Sequence, residues 1–113
     1  MAKIEIVESL FEEIENTFKG RSTEVFDLIE TLEANPHKGK SVGRVGEYVI
    51  KEIKYEKFRF YFILDGYKLK CFTEKELVDL LIRFVRMSDK KSQQKVIDEV
   101  KRVLVKIGPA GFE

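Results

Sequence analysis

Phe58-Arg59-Phe60-Tyr61-Phe62-Ile63-Leu64 is the stretch on which the reading of this chain turns. It holds no Gly, Pro, Asn or Asp, and aromatic and β-branched residues dominate it, so it predicts a strand. Successive strand side chains point to opposite faces. Phe58, Phe60, Phe62 and Leu64 then line one face, which is core. Arg59, Tyr61 and Ile63 line the other, where a guanidinium and a phenol stand on an otherwise apolar strand. Two readings of that second face are open. It is a half-exposed sheet face on which Arg59 snorkels and Tyr61 packs by its ring, or it is a functional site.

The rest of the composition bounds the answer. The chain has 113 residues, enough for one domain with one core. Hydrophobic residues make up 43% and charged residues 36%, the balance of a globular chain rather than a disordered one. No apolar run approaches a membrane span, and the charged, alternating N-terminus does not read as a signal peptide. Cys71 stands alone, which excludes a disulfide framework and points to the cytoplasm. His37 is the single histidine, so zinc sites and Ser/His/Asp chemistry are disfavoured. The net charge of +1 conceals a division. Residues 1–35 carry three bases against nine acids, a net −6, and residues 36–113 carry +7. A basic side is a pointer to a phosphate-bearing partner.

Outward from the central strand, local signals predict the other elements. Lys3–Val7 alternates as a first strand. Ser9 with Glu12 forms a capping box for a helix carrying Leu10, Phe11, Ile14 and Phe18 and ending at Gly20. Ser22 or Thr23 caps a second helix with Val25, Phe26, Ile29 and Leu32, stopped by Asn35-Pro36. The short link predicts a helical hairpin with an acidic outer face. Ser41–Gly46 is a loop or weak strand, and Tyr48–Tyr55 a strand. Glu56-Lys57 makes a tight turn into the central strand. Asp65-Gly66 reads as a hairpin turn, with Tyr67–Phe72 the returning strand. Thr73–Met87 is contested. Thr73 with Glu76 reads as a capping box before Leu77, Leu80, Leu81 and Phe84 at helical spacing, yet Val78, Leu80, Ile82 and Phe84 also fit a strand face. Ser88-Asp89 caps a last helix from about Lys91 to Ile107, and residues 108–113 read as a short flexible tail.

The concentrated chemical feature is positive charge. Lys51, Lys54, Lys57 and Arg59 lie on the hairpin, and Arg83, Arg86, Lys90 and Lys91 at the end of the last strand or helix. Tyr48, Tyr55 and Tyr61 are interleaved. Cations for phosphates and rings for bases suit single-stranded nucleic acid. No phosphate-binding glycine loop is present.

Taken in order, Pro36-His37-x-Gly-Lys, Ile50-Lys51-Glu52-Ile53-Lys54, Phe58-Arg59-Phe60-Tyr61-Phe62, Phe84-Val85-Arg86 and a final helix resemble the RelE/ParE toxin superfamily. The resemblance covers about residues 3–106 and is closest to the HigB-like branch, found also in phages. It implies an α+β, RelE-like fold: an N-terminal strand and helical hairpin, an antiparallel sheet and a C-terminal helix, in a single domain over residues 1–107. It turns Leu77–Arg86 to strand, and makes Asp65–Glu76 an addition to the family pattern. It implies a type II toxin that cleaves messenger RNA on the ribosome by attack of a ribose 2′-OH on its own phosphodiester, with a cognate antitoxin as partner and no metal or cofactor. By position, Arg59 would hold the scissile phosphate, with Lys54 and Arg86 beside it. Tyr61 is nominated by its face, as a stacking or proton-donating group. Lys51, Lys57, Arg83, Lys90 and Lys91 would bind RNA. The antitoxin would lay an acidic segment over Arg59, Lys54 and Arg86, or extend the sheet edge.

Met87 stands where the branch has a second lysine, and the final helix carries no histidine or tyrosine at its start. Those departures favour a second class of function: a non-catalytic protein of the same fold that binds a protein partner, an antitoxin or a topoisomerase.

Overall fold

The computed structural model describes residues 1–112. It is α+β, built on one five-stranded sheet in the order β1-β5-β4-β3-β2. The strands are β1 (Lys3–Ile6), β2 (Lys40–Val45), β3 (Tyr48–Tyr55), β4 (Phe58–Asp65) and β5 (Leu81–Ser88). The helices are α1 (Glu8–Phe18), α2 (Ser22–Glu30), α3 (Gly66–Cys71) and α4 (Gln93–Lys106). The sheet is mixed rather than wholly antiparallel, because β1 runs parallel to β5. The helical hairpin α1/α2 carries the chain away from β1 before β2 begins at the far edge of the sheet.

The aromatic strand is β4, at the centre of the sheet. Phe58 and Phe60 meet Phe18 of α1 at ring distances of 5.1 and 6.0 Å, and Phe62 lies 4.7 Å from Phe84. That face is core, and Phe60, Phe62 and Phe84 are fully buried. The loop before β2 closes over it. Gly39 sits at φ +103°, and a Cβ there would meet the Phe62 ring at 2.9 Å, so glycine is required by both conformation and space. The opposite face is also covered. Helix α4 packs across β2 and β5, so neither face of β4 is open to solvent.

Several local expectations change. Tyr67–Phe72 is not a returning strand. β4 is already paired on both sides, by β3 and β5, so no place remains beside it. Asp65 instead caps α3: its Oδ1 accepts from the amides of Tyr67 at 2.9 Å and Lys68 at 3.3 Å. The Thr73/Glu76 box does form, with the Glu76 carboxylate accepting from both Thr73 N and Oγ1. It yields only one short turn over Glu76–Asp79, and β5 starts at Leu81 rather than Leu77. Pairing with β1 and β4 outweighs helical spacing there. The Ser9 box does not form: α1 starts at Glu8 without a side-chain cap. Asp89 caps not the helix but the turn before it, accepting from Ser92 N and Oγ at 2.9 Å each.

The final segment folds back onto the domain. Gly108, at φ +99°, turns the chain back after α4, and Phe112 is 2% exposed against the core. Glu113 lies outside the described residues.

Candidate nucleic-acid site on the sheet face under α4

The two-residue turn Glu56-Lys57 fixes the register of β3 against β4. Tyr55 pairs with Phe58, Lys54 with Arg59, Glu52 with Tyr61 and Ile50 with Ile63. Lys54, Arg59, Glu52 and Tyr61 therefore share the face under α4. On the other side of β4, Arg59 pairs with Ser88 and Tyr61 with Arg86. A register shift between Tyr61 and Phe62 lets both Arg83 and Arg86 of β5 lie opposite residues of this face, Ile63 and Tyr61. The sheet thus gathers Arg59, Lys54, Tyr61 and Arg86, the four residues nominated for chemistry.

Their environments differ. Arg59 Nε lies 3.6 Å from Glu52 Oε2, with the two side chains only 11% and 9% exposed. Arg59 Nη1 also donates to Lys57 O at 3.1 Å. Glu52 Oε1 accepts from Gln93 Nε2, at the start of α4, at 3.1 Å. Tyr61 is fully buried, and its hydroxyl shares a 2.8 Å hydrogen bond with Ser88 Oγ. Burial pushes the Tyr61 phenol above its usual range, and the Ser88 bond opposes that rise. Tyr61 has no surface on which a base could stack. Arg86 is flanked rather than free: its Nε is 3.5 Å from Glu99 Oε1, and its guanidinium lies 5.1 Å over the Phe112 ring. Glu13 is close to this pair; burial raises its carboxyl, Arg86 lowers it and Glu99 raises it. Lys54 alone of the four is exposed.

The five residues nominated for RNA binding do not form one surface. Lys57, Lys90 and Lys91 line a cleft of about 330 Å³ with Phe58 and Asp89, at the end of the sheet. This cleft adjoins the polar cluster along the chain, because Lys57 and Phe58 precede Arg59 and Asp89 follows Ser88. Lys51 is on the opposite face, 7% exposed, donating from Nζ to His37 O at 2.8 Å. Burial lowers its pKa, and its ammonium is turned into the Pro36-His37 loop rather than toward a ligand. Arg83 lies toward the other end of the sheet, 3.2 Å from Glu5, in a separate pocket with Tyr48 and Pro109.

The residues missed from sequence are Glu52, Gln93 and Ser88. Glu52 was legible: the two-residue turn alone sets it opposite Tyr61 and beside Arg59. Gln93 and Ser88 gave no such signal, because the approach of α4 is a tertiary matter. Chemically, the face offers a carboxylate and a guanidinium 3.6 Å apart as an ion pair, with three lysines around an adjoining cleft. No helix among the described residues is long and apolar enough to cross a membrane. Compared with known proteins, the chain matches no family model, no curated protein and no solved structure.

Proposed function

We propose that the chain is the toxin of a type II toxin–antitoxin system, a cytoplasmic endoribonuclease that cuts messenger RNA on the ribosome. The observation that carries this reading is the Glu52–Arg59 pair on the sheet face, next to the cleft of Lys57, Lys90 and Lys91. Attack by a ribose 2′-OH on the adjacent phosphorus needs a base for the hydroxyl proton, positive charge on the phosphoryl oxygens and an acid for the leaving 5′-oxygen. Glu52 takes the proton, and Arg59 holds the phosphoryl oxygens. A cleft lysine, Lys90 or Lys91, protonates the leaving oxygen, while Lys57 and Phe58 receive the neighbouring nucleotide. Lys54 adds charge from the next strand. The products are a 2′,3′-cyclic phosphate and a 5′-hydroxyl end. Tyr61, sealed against Ser88, supports the strand and takes no part in the chemistry. The order of strand, two helices, sheet and closing helix supports reading the fold as RelE-like.

Gln93 and the start of α4 cover Glu52, so this reading requires α4 to shift when RNA enters. The partner that keeps the site silent is a cognate antitoxin. Mapping message ends in cells that express the protein tests the proposal. The wild type produces new cyclic-phosphate ends within translated message, and Arg59→Ala does not.

A second reading has its own observation. Tyr61 is fully buried and Arg86 lies between Glu99 and Phe112, so two of the four nominated groups face protein. In that reading the chain is a non-catalytic protein of the same fold that binds a protein partner, and the Glu52–Arg59 pair serves the fold alone. Unchanged message ends beside a folded wild type support it.

A further inference from the structure

The edge of the sheet at β1 is open along Lys3–Ile6. No strand pairs with β1 on the side away from β5, and just before it the Ala2 amide donates to Glu33 O at 3.0 Å, which closes that end of the edge. Lys3 N donates to Leu80 O at 2.8 Å and Val7 N to Phe84 O at 3.0 Å, so those amides point inward. By alternation the amides and carbonyls of Ile4 and Ile6 point outward, away from the sheet. Beside this edge runs a groove of about 450 Å³ lined by Ile4, Ile6, Phe11, Phe26, Glu30 and Glu33. Phe11 is 42% exposed and stacks on Phe26 at 4.8 Å. An apolar floor beside an unpaired backbone edge is the combination that strand addition uses: backbone groups hold the added strand, and alternate side chains fill the groove.

The charge of the groove selects the occupant. Its two ionisable lining residues are both glutamates, and neither is held in an ion pair among the described residues. The segment that builds the groove, residues 1–35, carries −6. A second copy paired edge to edge would bring two such acidic segments together, and an acidic peptide would meet like charge. We infer that the β1 edge takes an extended segment of a partner protein that alternates apolar and basic residues. Its apolar side chains lie on Ile4, Ile6 and Phe11, and its cations meet Glu30 and Glu33. This surface lies on the opposite side of the chain's charge division from the basic cleft, and its assignment does not depend on RNA cleavage.

The test uses the full chain with a blocked hexapeptide of alternating isoleucine and lysine as probe, and a glutamate-for-lysine peptide beside it. Amide exchange read by NMR reports on the edge. The lysine peptide slows exchange at Ile4 and Ile6 by tenfold or more, and the glutamate peptide leaves it unchanged. Phe11→Lys, a change at an exposed position that spares the core, abolishes the protection while the rest of the spectrum is retained. Three results overturn the inference: no protection by the lysine peptide, equal protection by both peptides, or protection that appears with protein concentration alone, which assigns the edge to a second copy.

Discussion

On the α1/α2 side of the sheet, Phe58, Phe60, Phe62 and Phe84 pack with rings 4.7 to 6.0 Å from their neighbours. On the α4 side of the same strands stand Glu52, Arg59, Tyr61 and Ser88, each with a polar partner. Both faces are covered by helix, and Ile50, Ile63, Val100 and Leu104 are buried on the α4 side too, but there the Glu52–Arg59 pair and the Tyr61–Ser88 bond are inlaid among them. Burial alone favours the aromatic face by about 1.5–3 kcal/mol for each large apolar side chain. The inlaid pair gains little from burial, because desolvating a carboxylate and a guanidinium offsets most of their attraction. A chain selected only for stability would place apolar residues at the Glu52 and Arg59 positions as well. The contrast is the physical reason for assigning a function to the Glu52–Arg59 side.

That contrast can be broken in a graded way. Phe62→Ala removes a fully buried ring from the aromatic face and leaves a cavity beside Phe84. It costs about 3–5 kcal/mol, read as a lower urea midpoint. Glu52→Ala leaves the Arg59 guanidinium, 11% exposed, without its carboxylate. The expected cost is about 2–4 kcal/mol, below the full range for a broken buried pair because Lys57 O still accepts from Arg59. A cost near zero would show that the pair is solvated and that the two faces are energetically alike.

Tyr61→Phe sharpens the contrast at its smallest scale. It deletes the 2.8 Å bond to Ser88 and costs about 1 kcal/mol at neutral pH. It also has a pH signature. Burial raises the Tyr61 phenol above its unfolded value of about 10. The folded state therefore holds its proton more tightly, and stability is unaffected by this group below about pH 10. Above that it falls as pH rises through the folded pKa. In Tyr61→Phe this part of the alkaline fall is absent, so the urea midpoints of the two proteins converge between neutral pH and pH 11. RNA cleavage by Tyr61→Phe stays within about threefold of wild type, since the hydroxyl is sealed from the cleft; that figure is on the order of a stability effect alone.

Much of this arrangement was legible in the sequence. β3 and β4 are governed by local rules: uninterrupted β-formers, a two-residue turn and strict alternation. Their boundaries and register follow from those rules, and with them the juxtaposition of Lys54, Arg59, Glu52 and Tyr61. What local rules could not supply was competition between elements. Tyr67–Phe72 alternates like a strand, but β5 already occupies the free side of β4, and Asp65 turns the chain into α3. Tyr61 is fully buried rather than half-exposed for the same reason, because α4 arrives from thirty and more residues away to cover it, while Arg59 keeps part of its surface. Phe112 escaped notice because Gly108-Pro109 reads as a stop. Gly108 in fact reverses the chain and lets Phe112 reach Arg86. Lys51 looked like its neighbours Lys54 and Lys57, yet alternation alone puts it on the aromatic face, where it meets His37 O.

The proposed function requires the Glu52–Arg59 pair to work on RNA rather than to be merely an inlaid ion pair. Growth after induced expression tests it most directly, with wild type and Arg59→Ala compared at equal levels of folded protein. Wild type is expected to arrest growth within a generation and Arg59→Ala to leave it unimpeded. Unimpeded growth with folded wild type, or equal arrest by both proteins, would contradict the proposed function.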